Sequence, residues 1–194
     1  MQTTTTYKNN LRSLNGAIHS LPTYSTPYPR KTGQARVPSK TAFPADPLLD
    51  LKQLGIDLYR SLLGHGTPGS ALQFVSVFRQ LSNLNIAQRN SVIHRIGESQ
   101  VLIENEHMKA VLIHWAPGSR SRIHGHPDGG CVFKVLYGKL EEQRYTSKEP
   151  SSLVSENTLH AGGMGYIHDQ IGYHAVGNPF RESAISLHAY ATGA

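Results

Sequence analysis

The sequence predicts a mainly β fold in which a small antiparallel barrel follows two or three N-terminal helices. Two patterns support this prediction. Apolar residues recur at helical spacing from residue 46 to about residue 94. After Gly97, short apolar runs with a period of two follow one another and are separated by turn residues. A chain of 194 residues has room for one domain with a sizeable core, and we expect residues 46–194 to form it.

Residues 1–45 differ from the remainder of the chain. They are rich in Thr, Ser and Pro, contain no acidic residue and show little periodicity. We therefore expect an extended or flexible basic arm. Its composition overlaps with that of organelle-targeting peptides, but it lacks an Arg-rich amphipathic helix, so a cytoplasmic location is the expectation.

The distribution of charge argues against nucleic acid as a partner. Of the formal net charge of +6, all comes from six basic residues before Asp46, and the remaining thirteen basic residues balance thirteen acidic ones. Nucleic-acid recognition usually needs a basic face on the folded domain. No run approaches the roughly 20 apolar residues of a membrane span. We expect a monomer with neither nucleic-acid nor membrane partners.

Three helices are predicted before the barrel. Leucines recur at helical spacing from Asp46 to about Leu63, where glycines end the pattern. A second helix is predicted from near Pro68 to about Asn83, and a third from Ile86 to about His94. We expect this helical segment, residues 46–97, to pack on the barrel.

The barrel is predicted for residues 98–194. Its strand-like runs are 100–103, 108–115, 131–137, 139–145, 164–168 and 183–190. Turn signals such as Pro117-Gly118 and Gly162-Gly163 separate these runs. Many short strands at such spacing favour an antiparallel sandwich or a small barrel.

Three histidines form the candidate metal site. His124 and His126 stand at i and i+2, so on an extended chain both imidazoles point to the same side and can reach one metal. His174 follows Gly172, which permits a tight turn, and it can close on the same ion from another strand. The residues alone therefore predict three neutral nitrogen ligands.

The spacing of Gly118, His124, His126 and Gly138 resembles the first motif of the cupin superfamily, and residues 165–178 resemble the second. Most metal-binding cupins have a glutamate ligand at the position that Cys131 occupies here. This departure resembles the cysteine dioxygenases and related thiol dioxygenases.

Two further segments, Trp115 to Gly118 and Ser186 to Tyr190, also have counterparts in that family. The resemblance covers residues 98 to 190. It implies a jelly-roll-like cupin barrel that holds one Fe(II) per chain. It also implies oxidation of a small carboxylated thiol, with L-cysteine favoured, by O₂ to the sulfinic acid, as in cysteine catabolism.

The resemblance assigns roles to residues near the metal. In the family, a serine, a histidine and a tyrosine of the last strand lie beside the iron, and the matching residues are Ser186, His188 and Tyr190. By alternation these three share one face of a strand. The family tyrosine can be joined to the cysteine, which implies a thioether between Cys131 and Tyr190. The alternative is that Cys131 is a small buried core residue.

The partner of the substrate carboxylate is left open. In the family an arginine on the first barrel strand holds it, and Gln100 stands at the matching position. Glutamine there resembles relatives that prefer 3-mercaptopropionate. Arg95, Arg122 or Arg120 would supply the positive charge instead, since an arginine fork suits a carboxylate.

A three-histidine site suits thiol chemistry because it leaves the charge of Fe(II) uncompensated, which favours an anionic thiolate. Two rival functions remain open at this point. One is a cupin isomerase or epimerase with another divalent metal, and the other is a non-catalytic cupin that binds a small ligand. The missing glutamate and the Ser-His-Tyr ending favour the dioxygenase.

Overall fold

The computed structural model describes residues 47–64 and 69–192. The predicted arm, residues 1–45, lies outside the described residues and stays a prediction. In the described ranges, no helix is long and apolar enough to cross a membrane.

In the part of the chain that the structure describes, three α-helices precede the strands, as predicted. They are α1 (Pro47–Gly64), α2 (Val75–Gln80) and α3 (Ile86–Ile96). The second helix is shorter than the sequence suggested, because a 3₁₀ turn (Ala71–Phe74) replaces its first part. The hydroxyl of Ser70 accepts a hydrogen bond from the Leu72 N–H and caps that turn. Asn85 and Gln88 form a complete capping box at the start of α3.

Within residues 69–192, eight strands form two antiparallel sheets, which confirms the mainly β prediction. The strands are β1 (Ser99–Glu104), β2 (Met108–Trp115), β3 (Cys131–Tyr137), β4 (Lys139–Tyr145), β5 (Leu153–His160), β6 (Met164–Ile167), β7 (Tyr173–Gly177) and β8 (Ala184–Ala191). The larger sheet has the order β1-β2-β8-β3-β6, and the smaller one has the order β5-β4-β7. The sequence predicted six of these strands and missed β5 and β7.

The larger sheet is covered on both faces. On one face, Leu112 and Leu187 belong to a buried cluster that includes Phe74 and Phe78 of the helical segment. On the other face, residues such as Phe133 pack with Leu140 and Val176 of the smaller sheet. Every residue from 131 to 136 in β3 is buried, as expected for a central strand between two layers. The layers are therefore helices, large sheet and small sheet, and the space between the sheets holds the site.

Candidate metal centre

The three predicted histidines come together from separate parts of the chain. His124 and His126 lie in the loop between β2 and β3, whereas His174 lies on β7 of the smaller sheet. Backbone hydrogen bonds of 2.9 and 3.2 Å join His124 to His174 as an isolated bridge. The three ring centroids lie 4.6 to 4.9 Å apart. One potential ligand atom from each ring lies within 4.8 Å of the others.

Two glycines allow this approach. A Cβ at Gly125, between the two loop histidines, would lie 2.5 Å from a carboxylate oxygen of Asp169. That same carboxylate accepts a hydrogen bond from the His126 N–H. Gly172 has φ +126 and lies against the Tyr145 carbonyl oxygen, where a Cβ would come within 2.6 Å. A side chain at either position would clash with these groups beside the histidine cluster.

The ring nitrogens fit a metal ion. Both ring nitrogens of His126 and the Nε2 atom of His174 are buried and have no hydrogen-bond partner among the described residues. Buried polar atoms without partners are rare and unfavourable, and a metal ion would satisfy them. Burial lowers the pKa of His126 and of His174, and nearby positive charge adds to the effect. Both rings are therefore neutral at neutral pH, which is the form that binds metal. Imidazole nitrogens suit a divalent first-row transition metal.

His124 is oriented by the backbone. Its Nδ1 atom lies 2.9 Å from the carbonyl oxygen of Arg122, so a neutral ring donates its Nδ1 proton to that oxygen. The Nε2 atom then carries the free lone pair. This is the usual arrangement for a metal-binding histidine, whose second nitrogen is held by an acceptor.

A buried ion pair lies behind His174, and the sequence reasoning did not find it. Glu142 Oε1 lies 2.9 Å from His174 Nδ1 and 3.1 Å from Nη2 of Arg144. The Glu142 and Arg144 side chains are only 4% and 10% exposed. Burial alone would raise the pKa of Glu142, but the hydrogen bond from His174 and the charge of Arg144 outweigh it and lower the pKa. The carboxylate is therefore ionised, and His174 carries its proton on Nδ1.

Cys131 and Tyr190 lie beside the histidines. They are paired residues of β3 and β8, and the Tyr190 side chain hydrogen-bonds the thiol. The Tyr190 ring also stacks on His126 at a centroid distance of 6.0 Å. Burial raises the pKa of Cys131 and of Tyr190 well above their usual values. Both groups therefore keep their protons at neutral pH.

A chain of hydrogen bonds orients His188. Trp115 Nε1 donates to Ser186 Oγ at 2.8 Å, and the same Oγ lies 2.8 Å from His188 Nε2. Because Ser186 is fully buried, its proton needs an acceptor, and His188 Nε2 provides one. Burial lowers the pKa of His188 to about 3, so the ring is neutral and its proton lies on Nδ1. The His188 and Tyr190 rings stack at 6.3 Å.

The structure does not bring Gln100 to the sheet face that carries Ser186 and His188. The face that carries Ser186 continues through Ile113 of β2 to Ser99 of β1, because directly paired residues point the same way. Gln100 pairs with Leu112 and therefore shares the helix-facing side. Its amide donates to the Val101 carbonyl oxygen at 2.9 Å. A shift of one residue along a strand moves a side chain to the other face of the sheet. Matching positions by sequence does not detect such a shift.

The three predicted arginines are exposed, and the backbone carbonyl of Arg122 contacts His124. Arg95 is exposed in the last turn of α3, and Arg122 is exposed in the ligand loop. Arg120 pairs with Glu141 and donates to Gln143 at 2.7 Å, on the side of β4 that faces away from the core. The residue of β2 that pairs directly with Tyr190 of β8 is a cation, a lysine that was not predicted from the sequence.

This lysine, Lys109, is paired directly with Tyr190 and points to the same side of the sheet. Together with Val111, Pro127 and Tyr190 it lines a pocket of about 320 Å³. Its Nζ atom lies 3.0 Å from a carboxylate oxygen of Glu104. The pocket thus leads from solvent to Tyr190 and to Pro127, the residue after His126.

Comparison with known proteins identifies relatives. The sequence model of the family described as cysteine dioxygenase type I matches residues 81–193. Cysteine dioxygenase type 1 from Rattus norvegicus is 36% identical over 91 residues, which cover 44% of this chain and 46% of the relative. The protein of the same name from Homo sapiens is 35% identical over 91 residues, with the same coverage. The match thus spans just under half the length of these curated relatives. A solved cupin-2 domain protein from Shewanella frigidimarina has a TM-score of 0.40 and 19% identity, covering 56% of this chain and 93% of that one.

Proposed function

Since the chain belongs to the cysteine dioxygenase type I family, we propose that it is an iron-dependent thiol dioxygenase with L-cysteine as the favoured substrate. The observation that carries the proposal is the cluster of three histidines beside the protonated Cys131–Tyr190 pair. In the proposed reaction, a thiol and O₂ give a sulfinic acid. Both oxygen atoms end on sulfur, so the reaction needs no separate reductant.

His124, His126 and His174 would hold one Fe(II) per chain. The bound ion would supply open positions where thiolate sulfur and O₂ meet, and its charge would lower the pKa of the thiol. The donor set supports this role because it adds no negative charge of its own at the ion.

Residues of β8 would donate hydrogen bonds at the site and would fix the orientation of the His188 ring. Tyr190 keeps its phenol proton and can donate a hydrogen bond to the substrate carboxylate or to O₂. Ser186 and Trp115 hold the His188 ring in one orientation, with its Nδ1 proton available. Phe133 adds an apolar surface to the site, because its ring stacks on His188 at 5.0 Å and excludes water there.

The carboxylate of the substrate would be held near Tyr190. Lys109 supports this placement because it shares the sheet face and the pocket with Tyr190. Gln100, Arg95 and Arg122 remain proposals from the sequence, although none of them lines that pocket. Geometry therefore favours Lys109 as the carboxylate partner over the glutamine that suggested 3-mercaptopropionate.

The function is tested by loading the protein with Fe(II) without oxygen, removing unbound iron and then measuring O₂ uptake. L-cysteine, 3-mercaptopropionate, cysteamine and mercaptosuccinate are compared, and the product is identified by mass. We expect thiol-dependent uptake with one O₂ consumed per sulfinic acid formed, and the fastest rate with L-cysteine. His124→Gln should abolish uptake, whereas His160→Gln, at an exposed position at the end of β5, should not. An iron-replete protein that consumes no O₂ with any thiol would rule out the proposal and favour an isomerase or a ligand-binding cupin.

The carboxylate partner is tested by replacing Lys109, Gln100, Arg95 and Arg122 one at a time with residues of similar size and no charge. We expect Lys109→Met to raise KM for L-cysteine by about tenfold, since an ionic hydrogen bond is lost. KM for cysteamine, which has no carboxylate, should change little. A selective loss in one of the other three variants instead would assign the role to that residue.

A further inference from the structure

We propose that Glu142 and Arg144 form a positioning pair for the metal centre. Glu142 fixes the orientation of the His174 ring, and Arg144 shares the carboxylate and offsets its charge. The inference rests on the proposed function in so far as a metal ion occupies the histidine cluster. It concerns residues of β4 that the sequence motifs do not contain.

The first step is the geometry of the pair. Strand β4 lies beside β7, and the register places Arg144 opposite His174 and Glu142 opposite Val176. Leu140, Glu142 and Arg144 therefore point into the space between the sheets. Charged side chains are rarely buried without a specific partner. Here both partners lie at hydrogen-bond distance from one carboxylate oxygen, Oε1 of Glu142.

The second step is the consequence for His174. Its Nδ1 proton is held by Glu142, so the lone pair of Nε2 is the one directed away from the carboxylate. That Nε2 atom is buried and has no partner among the described residues. The acceptor behind His124 is a neutral carbonyl oxygen. His174 is therefore held by a stronger hydrogen-bond acceptor than His124 is.

The third step concerns the arginine. A buried carboxylate alone would pull strongly on the Nδ1 proton and would add negative charge beside the metal, which would weaken the attraction for a thiolate. Arg144 Nη2 donates to the same oxygen at 3.1 Å and to the Tyr166 carbonyl oxygen at 3.0 Å. Arg144 therefore offsets the charge of Glu142. It also ties β4 of the smaller sheet to β6 of the larger one.

A purely structural ion pair is the competing explanation. Breaking a buried pair by removing one partner is strongly destabilising in general, whatever the pair does for a neighbouring metal. Loss of stability alone therefore cannot distinguish a structural ion pair from a positioning pair. The deciding quantities are metal affinity and thiolate affinity, both measured without turnover.

The chain supplies a matched control on the same strand. Arg120 and Glu141 form an ion pair on the opposite side of β4, away from the histidines. Glu142→Gln and Arg144→Gln are therefore compared with Glu141→Gln and Arg120→Gln. Metal affinity is measured anaerobically with Fe(II), and with Co(II) as an oxygen-inert substitute, by competition with a coloured chelator.

We expect Glu142→Gln to weaken metal binding by about 10- to 100-fold, the range found when the residue behind a ligand histidine is removed. Arg144→Gln should bind metal within about threefold of the wild type, but its Co(II) form should bind L-cysteine about tenfold more weakly, because the charge of Glu142 is no longer offset. The cobalt–thiolate absorption band reports that binding. Arg144→Lys, which keeps the charge, should restore most of it. Neither control variant should change either affinity.

Wild-type metal affinity in Glu142→Gln, or wild-type thiolate affinity in Arg144→Gln, would overturn the proposal and leave the pair as structural. If a single variant does not fold, Glu142→Gln combined with Arg144→Gln removes both charges together, and we expect the same weak metal binding. These measurements need no dioxygenase activity. A protein that binds metal but oxidises no thiol would refute the proposed function and would leave this test intact.

Discussion

At the residue scale, Cys131 occupies the position where a carboxylate ligand would change the character of the site. Its thiol is fully buried, and burial raises its pKa, so it contributes no charge at neutral pH. Its side-chain partner is the phenol of Tyr190, directly across β3 and β8. The pair is thus neutral, close to the histidines and held in one geometry. This arrangement supports the covalent link that the family resemblance implied.

We expect a thioether between Cys131 and Tyr190 to form during turnover with a thiol and O₂. The link joins sulfur to a ring carbon of the tyrosine, and the thiol hydrogen and ring hydrogen lost in forming it, with their two electrons, reduce a separate molecule of O₂ to hydrogen peroxide. Intact mass should therefore fall by two hydrogen atoms, and the linked chain should move faster in a denaturing gel.

The control variants are Cys131→Ser and Tyr190→Phe, which retain the size of each side chain and cannot form the link. Both should keep the unlinked mass after the same incubation. An unmodified mass in active wild-type enzyme would show that Cys131 serves only as packing.

The residues that sequence reasoning found and missed differ in one respect. His124, His126 and His174 belong to a motif with fixed spacing, so their meeting was predictable. Glu142 and Arg144 belong to a strand whose polar residues look like an ordinary solvated face. Only the pairing of β4 with β7 reveals that these charges point inward. Long-range pairing of this kind leaves no local signal.

At the scale of elements, the bounds of some strands were predicted to the residue, whereas β5 and β7 of the smaller sheet were missed. The bounds of β2, β3 and β4 agree with the sequence prediction. Strand β5 was missed because its half-buried residues Ser155 and Asn157 are polar, and polar residues on the inward side remove the alternation that marks a strand. Strand β4 was predicted, but the burial of its Glu142 and Arg144 was not.

The contact between α2 and the large sheet depends on a buried lysine. Lys134 interrupts the apolar run of β3, yet it is only 4% exposed. Its Nζ atom donates to the carbonyl oxygens of Phe78 at 2.9 Å and Leu81 at 2.6 Å, which lie at the C-terminal end of α2. A cation is favourable at that end of a helix, where carbonyl groups lack partners.

We expect Lys134→Met to lower the free energy of unfolding by about 2 kcal/mol, because two buried carbonyl oxygens lose their donor while the side-chain volume is kept. Urea unfolding followed by far-UV circular dichroism measures the change. Lys148→Met, at an exposed position, should change it by less than about 0.5 kcal/mol. Equal stabilities of the two variants would mean that the lysine is not needed to anchor α2.

At the scale of the whole molecule, the histidine cluster joins parts of the chain that are distant in sequence. His124 and His126 precede β3 of the larger sheet, and His174 belongs to the smaller sheet. A metal ion at this point would therefore bridge the two layers. The unfolded chain cannot present these three ligands together, so the free energy of metal binding adds to that of folding.

Metal removal should accordingly lower the melting temperature. With free metal at 100 times its dissociation constant, the gain in stability is about 2.7 kcal/mol, which corresponds to about 5–10 °C in Tm for a domain of this size. The measurement is differential scanning calorimetry of chelator-treated protein against protein reloaded anaerobically with Fe(II). His124→Gln removes a ligand and should show almost no shift on reloading. His160→Gln should shift like the wild type, since His160 is exposed and lies outside the cluster. An equal rise in melting temperature on reloading in all three proteins would place the stabilising metal outside the histidine cluster. His124→Gln is the deciding variant because it removes a ligand at the cluster, whereas His160→Gln removes a surface histidine.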